Sequence, residues 1–476
     1  MMTRTIKALF LTLILITSNA LSAEKPHIIL VMADDQGWGQ MGYNGHPELK
    51  TPHFDEMAAN GLRFDRFYAG ASNCSPSRAT VLTGRSNDRT GVYNHGYPLR
   101  LQEKTLPQAL QKAGYATGHF GKWHLNGLRG PGIPVLADDT HSPGAFGFDH
   151  WLTATNYFDL NPLLGRMGEF ESFEGDSSEV AVEEALKFIA ERASSQPTFT
   201  VIWFGTPHDP MIATEEDRAP FAHLPEKTQH QYGEIVAMDR SIGMLRDRLR
   251  TLGLANDTLI WFCSDNGGRE HDPHSQAGLR GYKGGLYEGG IRVPGLIEWP
   301  GKIVPQVTDF PASTMDIMPT IVDLLDLPED SMLEVVDGES IVSLFTGDTP
   351  QRTRPIPIAN KGMALLDDRY KIVRNGNGKG VPWELFDLDN DLGETTDLAT
   401  QSPERFERMK AEALAVEASI AASALGQDYP EGKVLQPQRS ERWEQMKEYQ
   451  ALYERFAELK PGWQAPTPKP GKKKQK

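Results

Sequence analysis

The stretch "HIILVMADDQGWG", residues 27–39, decides the fold, because a short apolar run ends in two aspartates and a glycine-rich loop. A continuous apolar run of this length is typical of a strand that is buried on both faces of a parallel sheet. Two later runs have the same form: "TFTVIWFG" (198–205) is followed by "TPHDP", and "DTLIWFC" (257–263) by "SDNGG". The three runs predict parallel strands, each with a polar loop at its C-terminal end.

Helical patterns separate these predicted strands. Residues 178–193 and a longer segment ending near Leu249 each place apolar side chains on one face. In "TLPQAL", Thr105 is the expected helix cap and Pro107 lies in the first turn. Strands that alternate with helices predict an α/β fold with a mostly parallel, doubly wound sheet flanked by helices. Such sheets bind ligands beyond the carboxyl ends of their strands.

The pattern changes after about residue 350. "ALLDDRYKIVRNG" (364–376) and "PWELFDLDND" (382–391) predict antiparallel strands, a helix follows over about 403–425, and a second long helix is predicted near 438–459, lying over them. We therefore expect a main domain over residues 24–350 and a smaller C-terminal α+β domain over residues 351–460. The proline- and lysine-rich tail, 461–476, is predicted to be disordered.

The N-terminus and the charge predict an exported, soluble protein. Residues 1–23 have Arg4 and Lys7 before a short apolar run and then small residues, which is typical of a secretory signal and too short to span a bilayer. We expect the mature protein in the periplasm or outside the cell. Loss of both basic residues takes the net charge from −15 to −17. So acidic a chain does not favour binding to nucleic acid or to a membrane surface.

Oxygen ligands follow two of the predicted strands. Asp34 and Asp35 come after the first, and Asp265 and Asn266 after the "LIWFC" strand. Adjacent carboxylates repel each other unless a cation lies between them. Three carboxylates and an amide oxygen suit Ca²⁺, or Mg²⁺, better than Zn²⁺.

The segment "CSPSRATVLTGR", residues 74–85, places Cys74 at the start of a predicted helix. A helix N-terminus favours an anion, so an unmodified thiol there is expected to have a lowered pKa and could be a nucleophile. The other cysteine, Cys263, lies in an apolar strand and is expected to be buried and inert. We do not expect the two to pair.

The motif around Cys74 resembles the sulfatase signature, in which the cysteine is oxidised after translation to formylglycine. The resemblance extends over residues 33–93 and includes "GYATGHFGKWHL", "SDNGG", "GLRGYKGGLYEGGIRVP" and "ELFDLDNDLGETTDLA". It covers most of the mature chain and implies an alkaline-phosphatase-like fold, a maturation enzyme that modifies Cys74, and a sulfate ester as substrate.

The resemblance also implies roles for individual residues. The hydrated aldehyde made from Cys74 is the nucleophile, and it completes a Ca²⁺ site formed by Asp34, Asp35, Asp265 and Asn266. Arg78 supports the hydrate, Lys122 and Lys283 hold sulfate oxygens, His208 lies near the leaving-group oxygen, and His124 is the base that breaks the intermediate. Taken singly, each of these has a structural alternative, such as a surface charge for Arg78. Together, at the spacing of the family, they are better explained by one site.

Substrate contacts are less clearly marked. Arg269, His271, His274 and Arg280 lie between the predicted metal pair and Lys283, and His141 and "TATNYFDL" (153–160) also supply polar or aromatic groups. They could line a cleft for a sulfated carbohydrate or be solvated loop residues. Three alternatives to a sulfatase stay open: a phosphonate monoester or phosphodiester hydrolase on the same fold, a non-catalytic binder of sulfated glycans, and an enzyme that uses the unmodified thiol.

Overall fold

The computed structural model describes residues 25–378 and 380–466, so the predicted signal segment lies outside the described residues. The first strand, β1 (His27–Ala33), occupies the middle of a large sheet. The strands that follow it are β2 (Leu62–Tyr68), β3 (Ala116–Lys122), β4 (Leu128–Arg129), β5 (His150–Ala154), β6 (Leu163–Arg166), β7 (Glu169–Ser172), β8 (Thr198–Trp203), β9 (Thr258–Ser264), β10 (Arg292–Glu298), β11 (Gln306–Thr308) and β12 (Ala312–Ser313).

The large sheet is mostly parallel at its centre. Its order is β11-β2-β10-β9-β1-β8-β3-β5-β6-β7, with β12 also beside β2. β1 pairs in parallel with both β8 and β9, and β3 pairs in parallel with β8 and β5. β10 runs antiparallel to β9 and β2, and β6 and β7 add an antiparallel edge. The carboxyl ends of β1, β3, β8 and β9 therefore lie side by side.

Both faces of this sheet are covered, which explains the continuous apolar sequence of β1. Ile28, Leu30 and Met32 belong to one buried cluster, whereas Ile29 and Val31 belong to the cluster on the other face. Alternate side chains of a strand point to opposite faces, so a strand between two helical layers must be apolar at every position. The sequence pattern and the burial agree.

Helices form the two outer layers. Residues of α2 (Cys74–Thr83), α3 (Leu106–Lys112) and α8 (Ile317–Leu324) join the first cluster, and residues of α1 (Pro52–Asn60), α4 (Ser177–Arg192) and α6 (Glu226–Thr251) join the second. Within the described residues the other helices are α5 (Glu215–Arg218), α7 (Glu288–Ile291), α9 (Pro403–Ala424), α10 (Lys447–Gln450) and α11 (Tyr453–Leu459). The fold is the doubly wound α/β arrangement that the sequence predicts.

A small antiparallel sheet follows, made of β13 (Ile356–Ala359), β14 (Met363–Asp367), β15 (Tyr370–Arg374) and β16 (Glu384–Asp387). One of its faces packs against Leu286, Ile291 and Met315 of the main domain, and the other packs against α9. The small domain therefore lies directly behind the loop that contains Lys283.

The prediction of one long helix near 438–459 is wrong. This segment contains a short strand, β17 (Glu441–Arg442), a 3-10 turn at Trp443–Gln445 and the two short helices α10 and α11. β17 pairs with β4, and Trp443, Tyr449 and Phe456 pack on Leu128, Ile133 and Leu163 of the main domain rather than on the small sheet. Trp443 and Tyr449 each donate a hydrogen bond to a backbone carbonyl of the 131–134 loop, so these contacts outweigh the local helical pattern.

The basic tail begins with ordered residues. The ring of Trp463 lies 5.4 Å from that of Tyr453 and 5.6 Å from that of Phe456, so the expectation of disorder does not hold at this end. Residues 467–476 lie outside the described residues. Across the part of the chain that the structure describes, the helices are either too short or too polar to cross a membrane.

Candidate active site

The residues singled out from the sequence meet at the carboxyl edge of the large sheet. Asp34 follows β1, Lys122 ends β3, and Asp265 follows β9. The backbone N–H of Asp34 donates to the carbonyl of Thr206 (2.9 Å) beyond β8, and that of Asp265 donates to the carbonyl of Ala33 (3.1 Å). Neighbouring strand ends are thus tied together, which brings together side chains that are more than 200 residues apart in sequence.

The three aspartates and Asn266 form a buried cluster of oxygen atoms. Asp34, Asp35, Asp265 and Asn266 are all 0% exposed. Asp265 Oδ1 accepts the backbone N–H of Asp35 (3.1 Å), and Asn266 Nδ2 donates to Asp35 Oδ1 (2.8 Å). Asp35 has a left-handed backbone with φ +70°, which is uncommon for a non-glycine residue and is found at functional sites.

Each lysine of the site contacts one of these carboxylates. Lys122 Nζ lies 2.5 Å from Asp34 Oδ2, and Lys283 Nζ contacts Asp35 Oδ1. Burial disfavours ionisation of Asp34, but the positive charges of Lys122, His208, Arg78 and Lys283 outweigh it and hold its pKa well below the usual range. For Asp265 burial prevails, and together with the charge of Asp34 it raises the pKa to about 7.

Cys74 is the first residue of α2, and Lys283 Nζ lies 3.1 Å from its Sγ. The thiol is 2% exposed, and burial raises its pKa to about 12 despite the charges of Lys122 and Lys283. The expected low thiol pKa is therefore wrong. A helix N-terminus contributes at most about 2 kcal/mol, whereas full burial shifts a pKa by up to about 3–5 units. Burial therefore disfavours the thiolate form of unmodified Cys74.

Arg78 lies under Cys74, one turn along α2, and is fully buried rather than a surface charge. Its Nη2 donates to Asp265 Oδ2 (2.8 Å), and its Nη1 donates to the carbonyl of Lys122 (3.2 Å). The guanidinium also lies 5.1 Å from the ring centre of Trp203. Arg78 therefore links α2 to the ends of β3 and β9.

His124 follows β3 with a left-handed backbone, φ +54°, and is 2% exposed. Neither ring nitrogen has a hydrogen-bond partner in the described part of the chain. Burial, together with the positive charges of Lys122 and Arg78, lowers the pKa of His124 well below its usual range. The neutral ring therefore has a nitrogen lone pair that can accept a proton.

His208 lies in the loop after β8 and approaches the carboxylates from there. Its Nε2 is 3.9 Å from Asp35 Oδ2, its Nδ1 is 2.5 Å from the carbonyl oxygen of Asp209, and its ring stacks on Tyr157 with centroids 4.8 Å apart. Burial lowers its pKa to about 4, although Asp34 and Asp35 act in the opposite direction. Tyr157 belongs to the segment "TATNYFDL" and fixes the plane of this imidazole.

A family model described as Sulfatase matches residues 26–327, which is more than half of the chain. The chain belongs to the sulfatase family. It is therefore a sulfuric ester hydrolase with an alkaline-phosphatase-like fold, and the phosphonate-hydrolase and non-catalytic alternatives lose their support.

Named sulfatases align with most of the chain. Arylsulfatase A of Homo sapiens is 32% identical over 368 residues, covering 70% of this chain and 70% of the relative. N-acetylgalactosamine-6-sulfatase of Mus musculus is 32% identical over 392 residues, covering 73% and 72%. The solved structure of Ps i-CgsB, in complex with k-i-k-neocarrahexaose, has a TM-score of 0.73 at 26% identity and covers 82% of this chain and 92% of its own.

The fold is shared more widely than the reaction. The phosphonate monoester hydrolase of Agrobacterium radiobacter has a TM-score of 0.61 at 21% identity, covering 83% of this chain and 96% of its own. At that identity the likeness shows the fold alone. The class of reaction rests on the family model and the curated relatives.

The donor set of this sulfatase fits a hard cation. Asp34 Oδ1, Asp35 Oδ2 and Asn266 Oδ1 are buried and have no hydrogen-bond partner among the described residues. Asp34, Asp35, Cys74 and His208 also place potential ligand atoms within 4.8 Å of one another. Buried oxygens without partners are costly, and carboxylate and amide oxygens are the ligands that Ca²⁺ prefers.

The residues proposed for substrate contacts are divided between two places. Arg269 reaches the site, with Nη1 at 3.7 Å from Asp35 Oδ2 and Nη2 at 3.0 Å from Asp209 Oδ2. His271 is half-buried. Burial, with the positive charges of Lys227 and Arg269, lowers the pKa of its imidazole, although Asp209 acts in the opposite direction. His274 packs edge-on against His46, and Arg280 lies over the ring of Tyr287 and pairs with Glu384. The structure does not bring the last two into hydrogen-bond contact with the buried carboxylates in the described ranges.

Sequence reasoning missed Asn360, in the turn between β13 and β14. Its Nδ2 donates to Ser72 Oγ (2.6 Å) and to the carbonyl of Gly284 (3.0 Å), so it joins the loop before Cys74 to the loop after Lys283. Asn375 and Glu394 accept the backbone N–H groups of Leu286 and Glu288 in the same way. No local motif marks these contacts, because the small domain makes them from a distant part of the chain.

Proposed function

We propose that this sulfatase hydrolyses a sulfate ester of a carbohydrate with the oxidised form of Cys74 as nucleophile and Ca²⁺ as bound cation. The observation that carries the proposal is the position of Cys74. It lies at the start of a buried helix, 3.1 Å from Lys283, and its Sγ is within 4.8 Å of ligand oxygens of Asp34 and Asp35, each of which has one oxygen without a hydrogen bond among the described residues. A plain buried cysteine needs none of these neighbours.

Asp34, Asp35, Asp265 and Asn266 would hold the cation, whose charge would stabilise negative charge on the sulfuryl oxygens. The cluster is prepared for such an ion. Lys122 and Lys283 each occupy one oxygen of a carboxylate and leave its second oxygen without a hydrogen bond. Arg78 donates a hydrogen bond to Asp265 and so holds its carboxylate in position.

Oxidation of Cys74 to formylglycine would supply a hydrated aldehyde. Its second hydroxyl would allow the sulfated enzyme to release sulfate and regenerate the aldehyde, which a serine could not do. The remaining steps belong to residues of this chain. Lys122 and Lys283 bind the sulfuryl oxygens, since two ammonium groups, one buried and one half-buried, favour an anionic group between them. Neutral His124 accepts a proton when sulfate leaves.

His208 is assigned to the leaving-group oxygen. Its hydrogen bond to the carbonyl of Asp209 places a proton on Nδ1 and directs Nε2 towards the carboxylate cluster. A bound sulfate ester brings negative charge close to the ring, which favours the imidazolium form. In that form Nε2–H donates a proton to the departing alcohol.

A carbohydrate substrate is supported by the relatives. N-acetylgalactosamine-6-sulfatases are about a third identical to this chain, and Ps i-CgsB was crystallised with a neocarrahexaose. The rim of the site in this chain is polar and aromatic, with Tyr157 and Arg269 beside His208. Rings and charged groups of this kind suit a sulfated sugar.

The proposal includes export and maturation. Arg4 and Lys7 before an apolar run support secretion to the periplasm or the exterior, and "CSPSR" supports recognition by a formylglycine-generating enzyme. N-terminal sequencing of the protein from its host should show cleavage after the small residues near Ala23. An intact N-terminus in the exported fraction would contradict the signal assignment.

The decisive experiment is the mass of the peptide that contains residue 74, combined with turnover of an aryl sulfate. Conversion of CH₂SH to CHO lowers the mass by about 18 Da, and Cys74→Ala should abolish turnover because the nucleophile has no replacement. Cys263→Ala is the matched control, since Cys263 is equally buried but lies in β9. Turnover by protein with intact Cys74 thiol would overturn the mechanism, and faster turnover of an aryl phosphonate would favour the rival reaction.

A further inference from the structure

Three basic side chains on the loops around Cys74 lack an acidic partner in the part of the chain that the structure describes. They are His95, in the loop after α2, Arg129, at the end of β4, and Lys361, in the turn between β13 and β14. Among the described residues none of the three has a carboxylate oxygen within 4.0 Å, and Arg129 Nε is buried without a hydrogen-bond partner. Isolated cations without an ion pair are common on protein surfaces, so what distinguishes these three is their position around one site.

His95 and Arg129 belong to the wall beside the nucleophile. The backbone N–H of Gly96 donates to Ser75 Oγ (2.8 Å), which holds the His95 loop against the residue that follows Cys74. A Cβ atom on Gly96 would lie 2.3 Å from Arg129 Cγ, so the stem of this arginine packs directly on the same loop. Arg129 Nη2 donates to the carbonyl of Ser440 (3.3 Å), which leaves other guanidinium N–H groups for a ligand.

Lys361 belongs to the turn of the small domain that contacts the loops of Cys74 and Lys283. It is exposed, and it directly follows Asn360, whose Nδ2 contacts Ser72 Oγ and the carbonyl of Gly284. Lys361 is therefore the next residue in sequence after one that contacts the loops that carry Cys74 and Lys283.

The charges that act on His95 agree with this placement. The His95 side chain keeps contact with solvent, but partial burial of its ring and the positive charges of Lys283, Arg129, Lys122 and Lys361 lower its pKa. The surroundings of His208 are different, because Arg269 there is paired with Asp209. Uncompensated positive charge is thus concentrated on the side of His95.

We propose that His95, Arg129 and Lys361 form a subsite for a second anionic group of the substrate, next to the sulfate ester that is cleaved. The substrate class is then an oligosaccharide that carries at least two sulfate or carboxylate groups close together. Like charges that are held together without carboxylates are stabilised by an anionic ligand, and guanidinium and ammonium groups are the usual partners of such anions. This inference rests on the proposed sulfatase function and refines its substrate.

The test measures competitive inhibition of 4-nitrophenyl sulfate hydrolysis in the matured protein. The inhibitors are inorganic sulfate, with one anionic group, and sucrose octasulfate, with several on one disaccharide. Lys361→Ala and Arg129→Ala should each raise the inhibition constant for sucrose octasulfate about tenfold, the usual effect of losing one charge-assisted hydrogen bond. The constant for inorganic sulfate and the KM for the aryl sulfate should change less than twofold.

Matched controls come from the opposite edge of the sheet. Lys302 follows β10 and Arg192 ends α4; both are exposed and have no ion pair among the described residues. Lys302→Ala and Arg192→Ala should leave both inhibition constants unchanged. An unchanged constant for sucrose octasulfate in the subsite variants would overturn the inference, as would an equal rise for inorganic sulfate.

Failure of the sulfatase proposal gives a different result. Matured wild type would then not hydrolyse 4-nitrophenyl sulfate, and calorimetric titration with sucrose octasulfate replaces inhibition as the readout. Weaker binding in Lys361→Ala and Arg129→Ala than in the controls would still support an anion subsite. Equal binding in all variants would reject it.

Discussion

Lys283 is the residue that connects the carboxylates to the nucleophile. Its Nζ contacts Asp35 Oδ1 and lies 3.1 Å from Cys74 Sγ, on a loop held by the small domain. We expect Lys283→Ala to lower kcat for an aryl sulfate about 10²- to 10³-fold, because a preorganised positive charge on the sulfuryl oxygens is lost. Steady-state kinetics beside Lys302→Ala check this. A loss below about threefold would exclude Lys283 from transition-state binding.

His119 is a histidine buried for packing rather than chemistry. It is 0% exposed in β3, its ring lies 5.0–5.2 Å from those of Trp123, Phe148 and Trp203, and both ring nitrogens are without hydrogen bonds among the described residues. Burial and the charge of Arg78 hold its pKa well below the usual 6.5. The unfolded chain therefore binds a proton that the folded chain excludes.

This difference predicts how stability depends on pH. This histidine does not reduce the free energy of unfolding above pH 6.5. Below pH 6.5 the free energy of unfolding falls by about 1.4 kcal/mol per pH unit for each such histidine. In His119→Phe the loss of unfolding free energy between pH 7.5 and 5.5 should be smaller than in wild type by about that amount. Denaturant unfolding at the two pH values measures it. An identical loss in both proteins would contradict a neutral His119.

At the scale of elements, the turn between β13 and β14 positions the site. The Asn360 amide donates to Ser72 Oγ and to the carbonyl of Gly284, so it bridges the entry to α2 and the Lys283 loop. Asn360→Ala removes both donors, and Asn360→Asp keeps the shape but has no N–H group to donate.

Both Asn360 variants should lower kcat for an aryl sulfate about tenfold, since a hydrogen bond contributes about 1.4 kcal/mol and that is a factor of ten in rate. KM should change little, because Asn360 is not expected to touch the substrate. Kinetics and thermal unfolding of the same samples separate positioning from folding. Activity that stays at the wild-type level in Asn360→Asp would show that the bridge does not position Lys283.

At the scale of the whole molecule, the proposed cation site joins two neighbouring strands whose residues are more than 200 positions apart in sequence. Asp34 and Asp35 follow β1 and Asp265 and Asn266 follow β9, so an ion held there cross-links two central strands. A ligand that binds only the folded state stabilises it by about 2.7 kcal/mol at 100 times its Kd. Ca²⁺ should therefore raise Tm in a concentration-dependent way, and a chelator should reverse the effect.

Asp265→Asn tests that the ion binds at this place. The variant loses one carboxylate of the site, and its Tm should respond much less to Ca²⁺ than that of wild type. Differential scanning fluorimetry with Ca²⁺ and with Mg²⁺ measures the response and also ranks the two ions. A Ca²⁺ response that is equal in wild type and Asp265→Asn would place the stabilising ion elsewhere.

Local patterns in the sequence determined the central part of this protein. The apolar runs of β1, β8 and β9 are long enough to be strands and lack the alternation of a half-buried sheet, and each is followed by a polar loop. Because the carboxyl ends of parallel strands meet at one edge, the sequence alone predicts that Asp34 and Asp265 lie close together. The motif around Cys74 then pointed to the family.

Tertiary structure alone decided the rest. Burial is a property of the folded chain, and it raises the pKa of Cys74, where the helix start by itself suggests a lowered one. Residues 441–459 form short pieces because β4 and the loop at 131–134 supply partners that outweigh helix propensity. Asn360 contacts Ser72 beside Cys74 from a domain almost 300 residues away in sequence. Contacts between segments so far apart leave no local pattern, since their energy depends on distances that only folding sets.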